Sequence, residues 1–306
     1  MKKFFYKILL FVFFFSIIYI VSIIVMGEVI SNPFLKKNLN YNASSGHSFT
    51  RFKQVKNIKN IDILFLGASN AYRGFDTRIF EQNNYKVFNL GSSSQTPLQT
   101  ELLLKRYLKQ LNPKIIIYAV NADAFCSDGI ESSLDLISND IIDFEMIKLA
   151  LSQNHIKLYN TLIYSLYKDI TGHLQTYKQP AIIDNDKYID SGFIERENSN
   201  YEYRNYISSN WNFNKKQFKA FTKAVELIKV SGAKLYLVQP PIVNAKYKSF
   251  TNNYFFDNKM STYGKYDNYN LLLNINDTMF YDENHLNKYG VDIFNNALLS
   301  RFILEN

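Results

Sequence analysis

The sequence predicts an α/β fold: a three-layer sandwich around a mostly parallel sheet of about five strands, carried behind one N-terminal transmembrane helix. Three observations carry this prediction. Short apolar runs end abruptly at a glycine or a polar turn, as strands buried on both faces do. Amphipathic segments with recognisable caps alternate with them, and that alternation folds into a parallel sheet covered on both sides. The chain also opens on a long run of apolar residues behind three lysines. With 306 residues, 47% of them hydrophobic and 20% charged, the chain is long and apolar enough to bury a core, which excludes a disordered polymer.

The elements follow in order. Ile8 to Met26 is apolar apart from Ser16, Ser22 and the amphipathic Tyr19. A bilayer core takes about 20 helical residues, so the run spans it. Lys2, Lys3 and Lys7 precede it and Glu28 follows it. By the positive-inside rule the N-terminus stays in the cytoplasm and the rest is extracytoplasmic, making a single-pass protein of the cell membrane. A cleaved signal is the alternative for residues 1–27, although the run is long for one and Ile24-Val25-Met26 is a poor cleavage site. Residues 28–56 are polar and read as a juxtamembrane linker, leaving 57–306 as the folded domain.

Ile61–Leu66 before Gly67 reads as the first strand and Val87–Leu90 before Gly91 as the second. Thr96-Pro97-Leu98-Gln99 is a capping box with proline at the first helical position. Leu104, Tyr107, Leu108 and Leu111 continue that helix to Asn112-Pro113, and Ile115–Val120 is a third strand. From about 126 to 212 the alternation stops, and an insertion with helical segments such as Met146–Ile170 is expected. Asn214 caps the next helix, with Gln217 closing a capping box and Phe213 against Phe218 as a staple. Gly232 ends it. Lys234–Val238 is the fourth strand, Asp277–Tyr281 a short fifth, and Lys288–Phe302 the last helix.

The single cysteine, Cys126, allows no internal disulfide, and the four histidines have no zinc spacing. No metal or other cofactor is expected. The sequence lacks GxGxxG, GxxxxGK[ST] and RNA-binding motifs. Three of its eight excess positive charges lie at the N-terminus, so nucleic acid is not an expected partner. Ligands of open α/β sheets bind beyond the carboxyl ends of the strands. Polar groups cluster there: Gly67-Ala68-Ser69-Asn70, Asn89-Leu90-Gly91-Ser92, Asn121-Ala122-Asp123, and Asp282-Glu283-Asn284-His285 before the last helix. A serine, an Asp/His pair three residues apart and several amides are the inventory for acyl transfer through a covalent acyl-enzyme.

These blocks resemble the SGNH, or GDSL-like, hydrolases. The Gly-x-Ser turn is matched by Gly67-Ala68-Ser69, the second-block glycine by Gly91, the third-block asparagine by Asn121, and Asp-x-x-His by Asp282 and His285. Ala119 and Ala122 depart from the family's Gly and Asp in the third block. The resemblance implies an SGNH/flavodoxin-like fold over residues 57–125 and 214–306. It also implies catalytic Ser69, Asp282 and His285, with an oxyanion hole from the Ser69 and Gly91 amides and the Asn121 side chain. The stretches GASNAYRGFD and NLGSSSQ, with the anchor, look like the bacterial envelope branch that assists O-acylation of surface polymers, such as the D-alanyl-lipoteichoic acid and alginate O-acetylation proteins. That likeness implies a serine esterase or O-acyltransferase working on an acylated cell-surface glycan, with a membrane-bound O-acyltransferase as partner. The alternative is a non-catalytic scaffold of the same fold that binds a polymer or the acyltransferase.

Overall fold

The computed structural model describes residues 1–29, 39, 46–196 and 201–303. At its centre five parallel strands lie in the order β2-β1-β3-β7-β8. They are β1 (Ile63–Leu66), β2 (Val87–Asn89), β3 (Ile115–Ala119), β7 (Lys234–Gln239) and β8 (Lys265–Asn268). Strands β4 (Ile182–Ile183), β5 (Asp186–Ile189) and β6 (Phe193–Arg196) form a separate antiparallel sheet.

The period of two along each strand divides the core. Leu64, Leu66, Ile116 and Tyr118 face one layer and pack with Leu103, Tyr107, Phe221 and Val225 of the helices Pro97–Leu111 and Lys215–Ser231. Ile63, Phe65, Ile117 and Ala119 face the other, with Phe75, Phe80 and Phe294, the last from the helix Lys288–Ile303. This is the expected three-layer sandwich.

The local signals at helix ends act as read. Thr96 and Gln99 form the capping box of Pro97–Leu111. Asn214 accepts the Lys216 amide, Gly232 ends the helix with φ +81°, and Phe213 meets Phe218 edge-on at 5.6 Å. Gln217 differs. Instead of closing a box it is buried between helices, accepting the Leu98 amide and donating to Ser127 O. It thereby satisfies an orphan amide at the start of the other helix.

Three expectations are corrected. The fifth strand is Lys265–Asn268, not Asp277–Tyr281. Asn276 accepts the Thr278 amide and turns Asp277–Met279 into a 3₁₀ segment, leaving Phe280 only an isolated bridge to Leu286. The expected linker contains a helix, Ser48–Val55, with Phe52 and Val55 fully buried. Residues 30–38 and 40–45 of that linker lie outside the described residues. The insertion holds the expected helices, Phe144–Gln153 and Ile156–Ile170 among them, and also the small β4-β5-β6 sheet. At the start of β6, Gly192 abuts Asn89 of β2, so this sheet closes against the β2 edge.

Candidate active site

Strand order locates the site. The chain goes from β1 to β2 on one side and returns to β3 on the other, so the sheet reverses direction between β1 and β3, where such sheets hold ligands. Ser69 lies just beyond β1 and Asn121 just beyond β3. The turn after β1 is tight. Gly67 has φ +136°, and a Cβ there would come 2.7 Å from Ala119 O and 2.9 Å from Ala119 Cβ. Only glycine fits, and the small Ala119 is what lets the two strand ends close up. The chain then enters the short helix Ser69–Gly74, whose N-cap Ala68 supplies no side-chain hydrogen bond.

The loop 281–286 delivers the other two groups. The Tyr281 amide bonds His285 O at 3.1 Å, folding the loop back on itself. Inside it, Asp282 accepts the amides of Asn284 and His285 at 2.8 and 2.9 Å. His285 Nδ1 lies 2.8–2.9 Å from both Asp282 oxygens, and its Nε2 lies 2.7 Å from Ser69 Oγ. A carboxylate only accepts, so Nδ1 carries the ring proton and Nε2 is the acceptor for the serine hydroxyl. Burial alone would push the Asp282 carboxyl up. The bonds from His285 and the two amides outweigh it and hold the group below the usual carboxylate range. The structure thus brings Ser69, His285 and Asp282 into one hydrogen-bonded line, an arrangement able to draw a proton from the serine.

The two oxyanion candidates fare differently. Gly91 is buried beside Gly67 and Ala71, but its amide donates to Asn89 Oδ1 at 3.1 Å. The donor expected for substrate is therefore held by Asn89. Asn121 is almost buried, and its Oδ1 has no hydrogen-bond partner among the described residues. Asn70 and Arg73 are structural: Asn70 Nδ2 donates to Asn284 O at 2.8 Å, and Arg73 pairs with Asp186. Asp123 caps the Ala124 amide. Half-buried Cys126 has its thiol pushed up to about 11 by burial, which keeps it inert near neutral pH.

Several residues were not singled out in the sequence. Tyr281 stacks on His285, centroids 5.4 Å apart and planes within 9°. Arg196 lies over the Tyr281 ring at 4.7 Å. Lys246 Nζ donates to Glu283 Oε1 and Asn284 Oδ1, both at 2.7 Å, pinning the loop that carries His285. Asn89 joins Gly91 to Ala71 O of the serine's helix. Arg196 and Lys246 find their partners far away in sequence, and the stack of Tyr281 on His285, though only four residues apart, forms only once the loop folds back. Beside Asp282 opens a cleft of about 390 Å³, walled by Tyr201, Arg204, Tyr281, Glu283 and Asn284.

No family model matches this chain, and no curated protein matches it. Several solved structures are similar, among them two from Bacteroides. One, from Bacteroides fragilis and provisionally assigned as an acylhydrolase, is 11% identical, with 82% of this chain and 92% of that chain covered and a TM-score of 0.42. The other, a GDSL-like lipase from Bacteroides thetaiotaomicron, is 12% identical over 85% of this chain and 98% of that chain, TM-score 0.43. At such values neither likeness assigns a residue or an activity to this chain.

Proposed function

We propose that this chain is an exported, membrane-anchored serine esterase or O-acyltransferase acting on acyl esters of a cell-envelope polysaccharide. The observation that carries the reading is the line Ser69–His285–Asp282 at 2.7 and 2.8 Å. In this reading Ser69 Oγ attacks the ester carbonyl while its proton passes to His285 Nε2. Asp282 orients the ring and stabilises the imidazolium. The Ser69 amide and the Asn121 side-chain amide are the donors proposed for the developing oxyanion. The tetrahedral intermediate expels the alcohol, which takes the proton from His285 and leaves an acyl-serine. Water or a sugar hydroxyl, deprotonated in turn by His285, then resolves it; the first gives hydrolysis, the second transfer.

The helix Lys2–Glu28 is long and apolar enough to cross a membrane, and the lysines before it favour an outward-facing domain. An outward site meets glycan, and the tyrosines walling the cleft suit sugar C–H faces. A membrane-bound O-acyltransferase is the proposed source of acyl groups. The scaffold reading draws on one observation, the Gly91 amide already held by Asn89.

The test treats detergent-solubilised full-length protein and its Ser69→Ala variant with a fluorophosphonate probe and p-nitrophenyl acetate. Labelling and turnover in the wild type, both lost in the variant, are expected. A folded wild type that neither labels nor turns over ester overturns the enzyme reading in favour of the scaffold.

A further inference from the structure

The helix Ile156–Ile170 is packed along the outer part of the helix Lys2–Glu28. The Tyr19 hydroxyl donates to Asn160 Oδ1. Ile23 is buried in the contact, and a Cβ on Gly27 would collide with the Tyr164 ring, so the absent side chain is what admits the tyrosine. Tyr164 donates to Glu28 Oε1 at 3.1 Å, and Lys168 Nζ lies 3.6 Å from the same oxygen. The pairs 19 with 160, 27 with 164 and 28 with 168 ascend together, so the two helices run in the same sense.

This pairing sets a depth. The apolar run 8–26 is about 28 Å long at about 1.5 Å per residue, close to the roughly 30 Å of a hydrocarbon core. Tyr19 lies about 10 Å inside the outer end of that run. Asn160 is hydrogen-bonded to it, and the start of its own helix points further inward. The turn joining Phe144–Gln153 to Ile156–Ile170 is therefore carried inward with it. Two large apolar side chains flank that turn in the open: Leu151 is 59% and Ile156 56% exposed. Lys148 and Lys157 are close to them in sequence.

We infer that this helical turn is a membrane-seated foot: Leu151 and Ile156 enter the lipid of the outer leaflet, and the domain stands on the bilayer in a fixed pose. The partner is a phospholipid surface, and the argument for it is continuity, because the exposed side chains extend a helix contact that begins on the membrane span. The inference rests on the anchor reading proposed above.

The experiment uses full-length protein with Cys126→Ser and one new cysteine at a time, Val12→Cys, Leu151→Cys, Ile156→Cys or Ile170→Cys. All four side chains are exposed, so none of these changes opens the core. Each is labelled with an environment-sensitive fluorophore and reconstituted into phosphatidylcholine–phosphatidylglycerol vesicles containing doxyl-labelled lipid. Positions 12, 151 and 156 are expected to lose most of their emission. Position 170, at the far end of the same helix, keeps it. Quenching at 12 with 151 and 156 as bright as 170 overturns the foot and leaves the anchor standing. No quenching at 12 overturns both.

Discussion

His285 is held on each side by a different kind of contact: Asp282 at Nδ1, Ser69 at Nε2 and the Tyr281 ring against its face. Burial pushes the Tyr281 phenol up, so it stays neutral and serves as a flat platform. Tyr281→Phe keeps the stack and is expected to retain p-nitrophenyl acetate turnover near wild type. Tyr281→Ala frees the ring, and since misplacement of about 1 Å can cost about 100-fold, turnover is expected to drop by about 10–100-fold at normal fluorophosphonate accessibility. Asp282→Asn keeps the shape and loses the acceptor that fixes the tautomer, so a loss approaching roughly 10⁴-fold in kcat is expected. The meeting of Ser69, Asp282 and His285 was legible because a serine followed the first strand and an Asp/His pair three residues apart preceded the last helix. The roles of Tyr281, Asn89 and Lys246 were not, because a stack or a buried amide bond depends on how the loop folds and not on residue type.

The helix that begins with Ser69 is tied to the insertion by one carboxylate. Asp186 of β5 accepts from Arg73 at 2.8 and 2.5 Å and pairs with Arg196 at 2.9 Å. Arg73 and Asp186 are each only 12% exposed. Removing one partner of a buried pair typically costs about 3–5 kcal/mol. Asp186→Ala is expected to lose stability on that scale in urea denaturation, while a surface change such as Lys219→Ala loses little. Helices Pro97–Leu111 and Lys215–Ser231 were readable because their caps lie within a few residues of one another in sequence. Strand β8 was not: it is an edge strand, Lys-Tyr-Asp-Asn in sequence, with no apolar run to mark it. The helix Ser48–Val55 hid for a similar reason. Its buried face includes Arg51, which reads as a surface residue until Gly192 O and the Tyr72 ring are seen to receive it.

At the scale of the whole molecule, the sheet buries apolar side chains on both faces, and a few ionisable groups are buried with them. Asp135 is an example. It accepts from Ser48 Oγ, the Ser93 amide and Asn139 Nδ2, yet burial outweighs these bonds and pushes its carboxyl up to about 6. The unfolded carboxyl titrates near about 3.9. Between those values the folded chain holds a proton that the unfolded chain has released, so this group's contribution to stability falls as pH rises through the window, by up to about 1.4 kcal/mol per unit. Comparing urea midpoints from pH 4 to 7 with those of Asp135→Asn should show that component vanish in the variant. The layered fold as a whole was legible because short apolar runs alternate with capped helices along most of the chain; the docking of the insertion was not, because it depends on surfaces that no single segment contains. The pairing of Ser69 with His285 has one more consequence. The two are 216 residues apart, and a ribosome adding about 5–20 residues per second needs roughly 10–40 s to travel from one to the other. Through that interval the serine has no base and is as inert as any alcohol. On the proposed esterase reading, the growing chain is its own zymogen, activated by the docking of the segment that brings the histidine.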